Sequence, residues 1–139
     1  MDKPIITGDT IIVPSNQEHL ADVDLFIESI LRGYGIDEST IADIAISVSE
    51  LVNNAILHGN KLSLDKAVTV AIGRKDRAVE ISVRDQGNGF NPDSIADPID
   101  ENNLLKEVGR GIFIVRQLMD AVNITATSAG TTIVITKTI

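Results

Sequence analysis

The chain contains no cysteine and no tryptophan, and only 3% of its 139 residues are aromatic. The lack of cysteine excludes disulfides, thiolate metal ligands and cysteine nucleophiles. With so few rings available, the core must be built from isoleucine, valine and leucine, and hydrophobic residues make up 43% of the chain. This composition is typical of a globular protein, and we assign residues 1–139 to a single domain.

Positive charge is also scarce, because 12 Lys and Arg residues stand against 20 Asp and Glu, a formal net charge of −8. A protein that binds nucleic acid needs a basic stripe to neutralise backbone phosphates. The longest basic cluster, residues 74–77, is interrupted by Asp76 and is typical of a solvated hairpin turn. We therefore expect no direct nucleic-acid partner. A phosphate ligand would have to be bound locally, by backbone N–H groups, a metal ion or a few placed cations.

Long apolar runs are missing as well, and none approaches the roughly 18 residues of a membrane span. The N-terminus carries no signal-peptide pattern, so we expect a cytoplasmic protein without a membrane partner. The sequence contains no Gly-Lys-Ser/Thr, which excludes a P-loop, and two histidines are too few for a histidine-rich zinc site.

Hydrophobic periodicity predicts the element order β, α, α, β, β, loop, α, β, β. Residues 5–13 indicate an opening strand with a bulge or a tight hairpin. Ser15 to Glu18 has the pattern of a capping box before a first helix. Asp37 is expected to cap a second helix that closes at residues 58–60.

Alternating apolar residues predict two further hairpins, at 68–83 and 122–138. Between them lie a polar loop over residues 91–108 and a third helix that opens at Gly109-Arg110-Gly111. This order predicts an α+β fold, a two-layer sandwich with three helices on one face of a mostly antiparallel mixed sheet.

Three polar patterns do not fit a purely structural role. The first is Glu50, Asn54 and His58, whose spacing of four residues places them on one strip of the second helix. A solvated helix face is the simpler explanation of such a strip. However, asparagine is a poor helix former at mid-helix, and Glu50 has no Lys or Arg four residues later to form a surface ion pair.

The second pattern is Asp85, which continues the inward phase of the strand before it. A buried carboxylate is costly unless it is paired or hydrogen-bonded. One explanation is an Asx-turn that caps the following turn. The other is an acceptor at the floor of a pocket, suited to an exocyclic amine such as adenine N6, with Gly87 and Gly89 letting a flat ring approach the backbone.

The third pattern is Gly109-Arg110-Gly111 at the predicted start of a helix. Free N–H groups and the positive end of a helix dipole form a phosphate site at such a position. Taken alone the pattern is common and weak.

Together and in this order, the three patterns resemble the N, G1 and G2 boxes of the Bergerat (GHKL) ATPases. Residues 50–60 resemble the N box, 85–90 the G1 box and 109–115 the G2 box. Gly130-Thr131-Thr132 is similar to the glycine–threonine motif near the end of that family's domain. The small size, the N-box glutamate and the run from 103 to 111 resemble one branch, the anti-sigma-factor serine kinases of the sporulation and general stress-response type.

The resemblance implies binding of ATP with Mg²⁺. Asn54 would coordinate the Mg²⁺ on the triphosphate, and Asp85 would accept from adenine N6. Gly87 and Gly89 would shape the adenine pocket. Glu50 would act as general base on the serine hydroxyl of a protein partner.

The remaining boxes complete the implied nucleotide site. Gly109, Arg110 and Gly111 would cradle the phosphates, and residues 91–108 would be the lid, although that segment lacks the glycine expected of a mobile lid. Thr131 and Thr132 are assigned to the same site.

The resemblance further implies a function as ATP-dependent serine protein kinase and anti-sigma factor. Its partners would be an anti-anti-sigma protein of the STAS fold, which is phosphorylated, and a sigma factor, which is sequestered. Such proteins often form homodimers through the sheet. A non-catalytic ATP-binding partner switch remains open, and a detached histidine-kinase ATPase domain is the less favoured alternative.

Overall fold

The computed structural model describes residues 2–87 and 103–139, with residues 103–107 as backbone only, and its strands form one six-stranded sheet. The spatial order is β1-β2-β3-β4-β6-β5, and every described strand pair is antiparallel. The prediction of a mostly antiparallel sheet is therefore confirmed. The sheet is not mixed among the described strands, because they contain no parallel pair. The bounds are β1 Ile5–Thr7, β2 Thr10–Pro14, β3 Ala67–Lys75, β4 Ala78–Arg84, β5 Ala121–Thr127 and β6 Gly130–Thr138.

The alternation of apolar residues decides which face of the sheet is buried. In β4, for example, Val79, Ile81 and Val83 point inward, whereas Glu80 and Arg84 are exposed. Successive side chains of a strand point to opposite faces, so one face of the sheet joins the core. The opening segment forms the tight hairpin that was one of its two predicted structures, with β1 paired to β2 around Gly8.

Three helices cover the buried face: α1 Leu20–Gly33, α2 Glu38–Asn54 and α3 Asn103–Leu118. Helix α2 packs between α1 and α3 and contacts β4, while α3 reaches β5. Asp37 caps α2 as predicted, because its carboxylate accepts from the backbone N–H and the hydroxyl of Thr40. These two hydrogen bonds hold the pKa of Asp37 below its ordinary value.

Helix α2 continues directly into a turn of π-helix, Ala55–Gly59. The combined segment Glu38–Gly59 is long and apolar enough to cross a membrane by length and composition alone. However, 44% of its most apolar window is buried, and its apolar stripe packs against α1, α3 and the sheet. Here that composition belongs to the central helix of the core.

Two predicted helix starts are wrong. Asn16, and not Ser15, caps the short 3₁₀ turn before α1, since its side chain accepts from the N–H of Glu18. The Ser15 hydroxyl donates instead to the carbonyl of Lys66, 2.6 Å away. Helix α3 begins at Asn103 rather than at Gly109, because good helix formers fill the first turns and outweigh the two glycines.

The predicted lid, residues 91–108, divides accordingly. Residues 103–108 belong to α3, and residues 91–102 lie outside the described part of the chain, as does Gly89.

Candidate functional site

Asp85 directly follows β4, and only 5% of its surface is exposed. Its Oδ1 accepts hydrogen bonds from the backbone N–H of Gly87, at 2.9 Å, and of Thr131, at 3.0 Å. The first bond is the Asx-turn that the sequence left open. The second ties the carboxylate to β6, where the Asp85 N–H also donates to the Thr131 carbonyl. Asp85 is therefore both a turn cap and a buried acceptor held between two elements.

Three glycines enclose Asp85, and none has room for a side chain. A Cβ on Gly59 would overlap the Asp85 carboxylate, and a Cβ on Gly130 would overlap the Asp85 carbonyl. A Cβ on Gly87 would overlap the Gly59 carbonyl. Gly130 also has a φ of +143°, which favours glycine. Glycine at these three positions therefore lets the neighbouring backbone pack directly against Asp85 and the turn that follows it.

Sequence reasoning missed the contact of Gly59 with Asp85, because it used Gly59 only to end a helix and as part of the N-box resemblance. The contact joins positions 26 residues apart in the chain, so no local spacing signals it. Gly130 was recognised only as part of a motif, and its contact with Asp85 was not foreseen.

Thr131 and Thr132 occupy opposite faces of β6. Thr131 is 3% exposed and shares the buried face with Ile133, and its hydroxyl has no hydrogen-bond partner among the described residues. An orphaned buried hydroxyl beside Asp85 marks a position where a ligand can supply the missing hydrogen bond. Thr132 pairs with Arg84 and Thr125 in the ladder and faces away from Asp85.

A second cluster lies where α2 meets α3. Glu50 and Asn54, one helical turn apart and both half-buried, face Gly111 of α3. A Cβ on Gly111 would lie 2.6 Å from Asn54 Nδ2 and 3.2 Å from Glu50 Oε2. Glu50 and Asn54 therefore do not lie on a freely solvated helix face, because Gly111 of α3 packs directly against them.

Asn54 is the last α-helical residue before the π turn, and its Nδ2 is buried without a partner among the described residues. π-Helical turns inserted after α-helices occur frequently at functional sites. An unpaired amide nitrogen suits a phosphate oxygen, and the oxygen of the same amide is the hard ligand that Mg²⁺ accepts.

The described residues fit a Mg²⁺ ion that takes most of its oxygen ligands from a bound phosphate and from water. No group of three or more His, Asp or Glu side chains that could cage a metal occurs in residues 2–87 and 108–139. Mg²⁺ commonly takes only one or two protein ligands and completes its octahedron with phosphates and water.

The predicted phosphate cradle differs from its expected geometry. Gly109, Arg110 and Gly111 lie inside α3, where their N–H groups are not those of a helix start. Gly109 and Gly111 are buried, and Arg110 is exposed. The structure thus brings Gly111 to Glu50 and Asn54, but it does not bring the Arg110 side chain into the buried cluster.

Comparison with known proteins gives a consistent family assignment. A family model described as histidine kinase-like ATPase domain matches residues 13–137. Serine-protein kinase RsbW of Bacillus licheniformis is 31% identical over 133 residues, which cover 89% of this chain and 81% of that protein. The protein of the same name from Bacillus subtilis is 28% identical over 131 residues, covering 90% and 81%.

Solved structures share the fold. The RsbU and RsbW domains of Rv1364c from Mycobacterium tuberculosis align with a TM-score of 0.71 and 24% identity over 97% of this chain. The chain spans only 31% of that longer polypeptide. The histidine kinase domain of the Erythrobacter litoralis EL346 blue-light activated histidine kinase aligns with a TM-score of 0.58 and 21% identity, covering 91% of this chain and 61% of that one.

Proposed function

Because the chain belongs to the histidine kinase-like ATPase domain family, we propose that it is an ATP-dependent serine protein kinase and anti-sigma factor. The observation that carries this proposal is the packing of Glu50 and Asn54 against the bare Cα of Gly111. That contact leaves a carboxylate beside an amide whose nitrogen has no partner in the described part of the chain. A binding module would need the amide, but the carboxylate beside it supports transfer chemistry.

Asp85 and Thr131 would recognise the adenine ring. A carboxylate oxygen accepts from an exocyclic amine, and it repels the carbonyl that guanine carries at the same position. The Thr131 hydroxyl can donate or accept and so can complete the base contacts. Gly87, and Gly89 outside the described residues, would let the ring lie against the backbone.

The phosphates would extend from this pocket toward α3. Asn54 would hold Mg²⁺ through its amide oxygen, where the metal neutralises charge on the phosphates. Gly111 would let Asn54 and Glu50 lie close to α3 beside the phosphates. Gly109 and Arg110 stay proposed phosphate contacts, whereas Thr132, which faces away from Asp85, is not assigned one.

Glu50 would act on the partner's serine. Its carboxylate would take the hydroxyl proton as the serine oxygen bonds to the terminal phosphorus and the bond to the ADP oxygen breaks. Proton transfer to a positioned base contributes typically 10²–10⁴-fold, while most of the acceleration in phosphoryl transfer comes from positioning and charge.

We further propose a STAS-fold anti-anti-sigma protein as the substrate and a sigma factor as the sequestered partner, in the cytoplasm. The names of the relatives support the kinase assignment. The sheet face opposite the helices includes small residues such as Ala71, Gly73 and Ser82, which supports a homodimer through that face.

The direct test incubates the chain with ATP, Mg²⁺ and a candidate STAS protein and then measures the mass of both proteins. The kinase proposal expects one added phosphoryl group on a serine of the STAS protein. ATP binding with no added mass would instead favour the non-catalytic partner switch. Transfer of phosphate to a histidine of a separately supplied dimerisation domain, and not to the STAS protein, would favour the histidine-kinase alternative.

We expect Asp85→Asn to weaken adenine nucleotides by about 1–3 kcal/mol, the usual cost of disturbing a buried hydrogen bond. The amide keeps one acceptor for the N–H groups of Gly87 and Thr131 but replaces the second oxygen with a donor. Calorimetric titration with ATP and with GTP measures the effect. An unchanged ATP affinity would mean that the adenine ring does not bind at Asp85.

We expect Asn54→Ala to abolish the dependence of ATP affinity on Mg²⁺, because it removes the side-chain amide oxygen that the described residues place beside Glu50 and Gly111. Titrations with Mg²⁺ and with a chelator check this linkage. Asn53→Ala is the matched control, since Asn53 is the neighbouring amide and accepts from the side chain of Gln17 instead. If ATP affinity in the Asn54 variant depends on Mg²⁺ as strongly as in the wild type, the metal site does not include Asn54.

A further inference from the structure

Asn60 is 1% exposed and has a hydrogen-bond partner for every polar atom of its side chain. Its Oδ1 accepts from the backbone N–H of Gln86 at 2.7 Å. Its Nδ2 donates to the hydroxyl of Ser15 at 2.9 Å and to the carbonyl of Ala67 at 3.0 Å. One side chain thus joins the end of α2, the end of β2, the start of β3 and the segment after β4.

The bond to Gln86 has a direct consequence for Asp85. The N–H of Gln86 and the carbonyl of Asp85 belong to one planar peptide group, so fixing the N–H fixes that plane. On its other side Asp85 is already held through its N–H and its Oδ1, both bonded to Thr131. Asn60 therefore restrains the backbone that carries the carboxylate from the Gln86 side, where the Gln86 side chain also accepts from the N–H of Ala67.

Asparagine suits this position for a chemical reason. The network needs one acceptor, toward Gln86, and two donors, toward Ser15 and Ala67, in a neutral group. An apolar side chain would leave the buried N–H of Gln86 unsatisfied, which costs more than the average hydrogen bond contributes.

We propose that Asn60 is a positioning residue that fixes the Asp85 carboxylate for recognition of the nucleotide base. The inference rests on the proposed function, since it presumes an adenine nucleotide at Asp85. Asn60 acts through the Gln86 peptide and is not itself assigned a contact with the nucleotide.

The test compares two Mg²⁺-loaded probes, ATP and inorganic tripolyphosphate, by calorimetry on the whole chain. Asn60→Ala is expected to lower ATP affinity about 10-fold and to leave tripolyphosphate affinity unchanged, because only the base contact depends on Asp85. The preference for ATP over GTP should shrink by the same factor. A general loosening of the fold would weaken both probes together and would overturn the proposal.

Ser15→Ala is the matched control. It removes two hydrogen bonds, the one that Ser15 accepts from Asn60 Nδ2 and the one that it donates to the Lys66 carbonyl, but it leaves the bond between Asn60 Oδ1 and Gln86 in place. Its ATP affinity should stay within about 2-fold of wild type, even if its thermal midpoint falls as far as that of Asn60→Ala. An equal loss of ATP affinity in both variants would show that Asn60 has only a structural role.

A second measurement covers the case in which Asn60→Ala does not fold. Amide hydrogen exchange in the wild-type chain should show a protected N–H at Gln86, and Ser15→Ala should retain that protection. Rapid exchange at Gln86 in the wild type would overturn the positioning contact itself. If the wild type binds neither probe, the proposed function fails, and the nucleotide role of Asn60 falls with it, whatever the Gln86 amide shows.

Discussion

Replacing Glu50 with glutamine is expected to slow phosphoryl transfer to the STAS partner by about 10²–10⁴-fold while leaving ATP affinity nearly unchanged. The neutral isostere keeps the shape of the side chain and one acceptor oxygen, but it cannot take the proton of the serine hydroxyl. The loss could lie at the lower end of this range, because phosphoryl transfer depends mainly on positioning and charge stabilisation. Single-turnover transfer and calorimetric ATP binding, measured on the same preparation, separate the two effects.

Glu28→Gln is the matched control for this experiment. Glu28 lies on α1, is half-buried like Glu50, and belongs neither to the proposed nucleotide site nor to the proposed dimer face, so the same change of charge there should leave transfer at the wild-type rate. If Glu50→Gln transfers phosphate as fast as the control, Glu50 is not the base. If neither the wild type nor any variant transfers phosphate, the partner switch without catalysis is favoured instead.

Adding one methyl group at Gly111 should reduce transfer about 10²-fold without unfolding the protein. The new Cβ of Gly111→Ala would lie 2.6 Å from Asn54 Nδ2 and 3.2 Å from Glu50 Oε2, so these side chains must move. A displacement of about 1 Å in a catalytic group can cost 10²-fold in rate. Alanine also favours a helix interior over glycine by roughly 0.5–1 kcal/mol, which offsets the crowding.

The expected signature is therefore a loss of transfer with little change in the thermal midpoint. Gly33→Ala provides the comparison, because a Cβ at that position of α1 meets no heavy atom within 4 Å in the described structure. It should be active and slightly stabilised, if altered at all. A folded Gly111→Ala variant with wild-type transfer would mean that the contact between α2 and α3 is not the catalytic one.

Patterns that repeat along the chain predicted the fold well. The alternation Val79, Ile81, Val83 indicated a half-buried strand, and the structure has β4 there with those residues inside. Asp37 was recognised as a cap because its local bond to Thr40 depends only on neighbouring residues. These predictions are correct because the local preference of the residues and their tertiary packing favour the same structure.

Signals that depend on distant contacts were missed or misplaced. The start of α3 was assigned to its glycines, whereas Gly111 is required by its contact with Asn54 and Glu50 across the helix interface. Ser15 looked like a helix cap, but its hydroxyl bonds with Lys66 and Asn60 across the fold. In each case the residue type was informative, and its partner lay too far along the chain to be inferred.

The proposed adenine site at Asp85 is tested most directly by a calorimetric comparison of ATP and GTP binding to the wild-type chain in the presence of Mg²⁺. In the proposed function the buried Asp85 carboxylate would accept from the amine of adenine and would oppose the carbonyl of guanine, so ATP should bind at least about 10-fold more tightly. Equal affinities for the two nucleotides, or no binding of either, would contradict the assignment of this pocket.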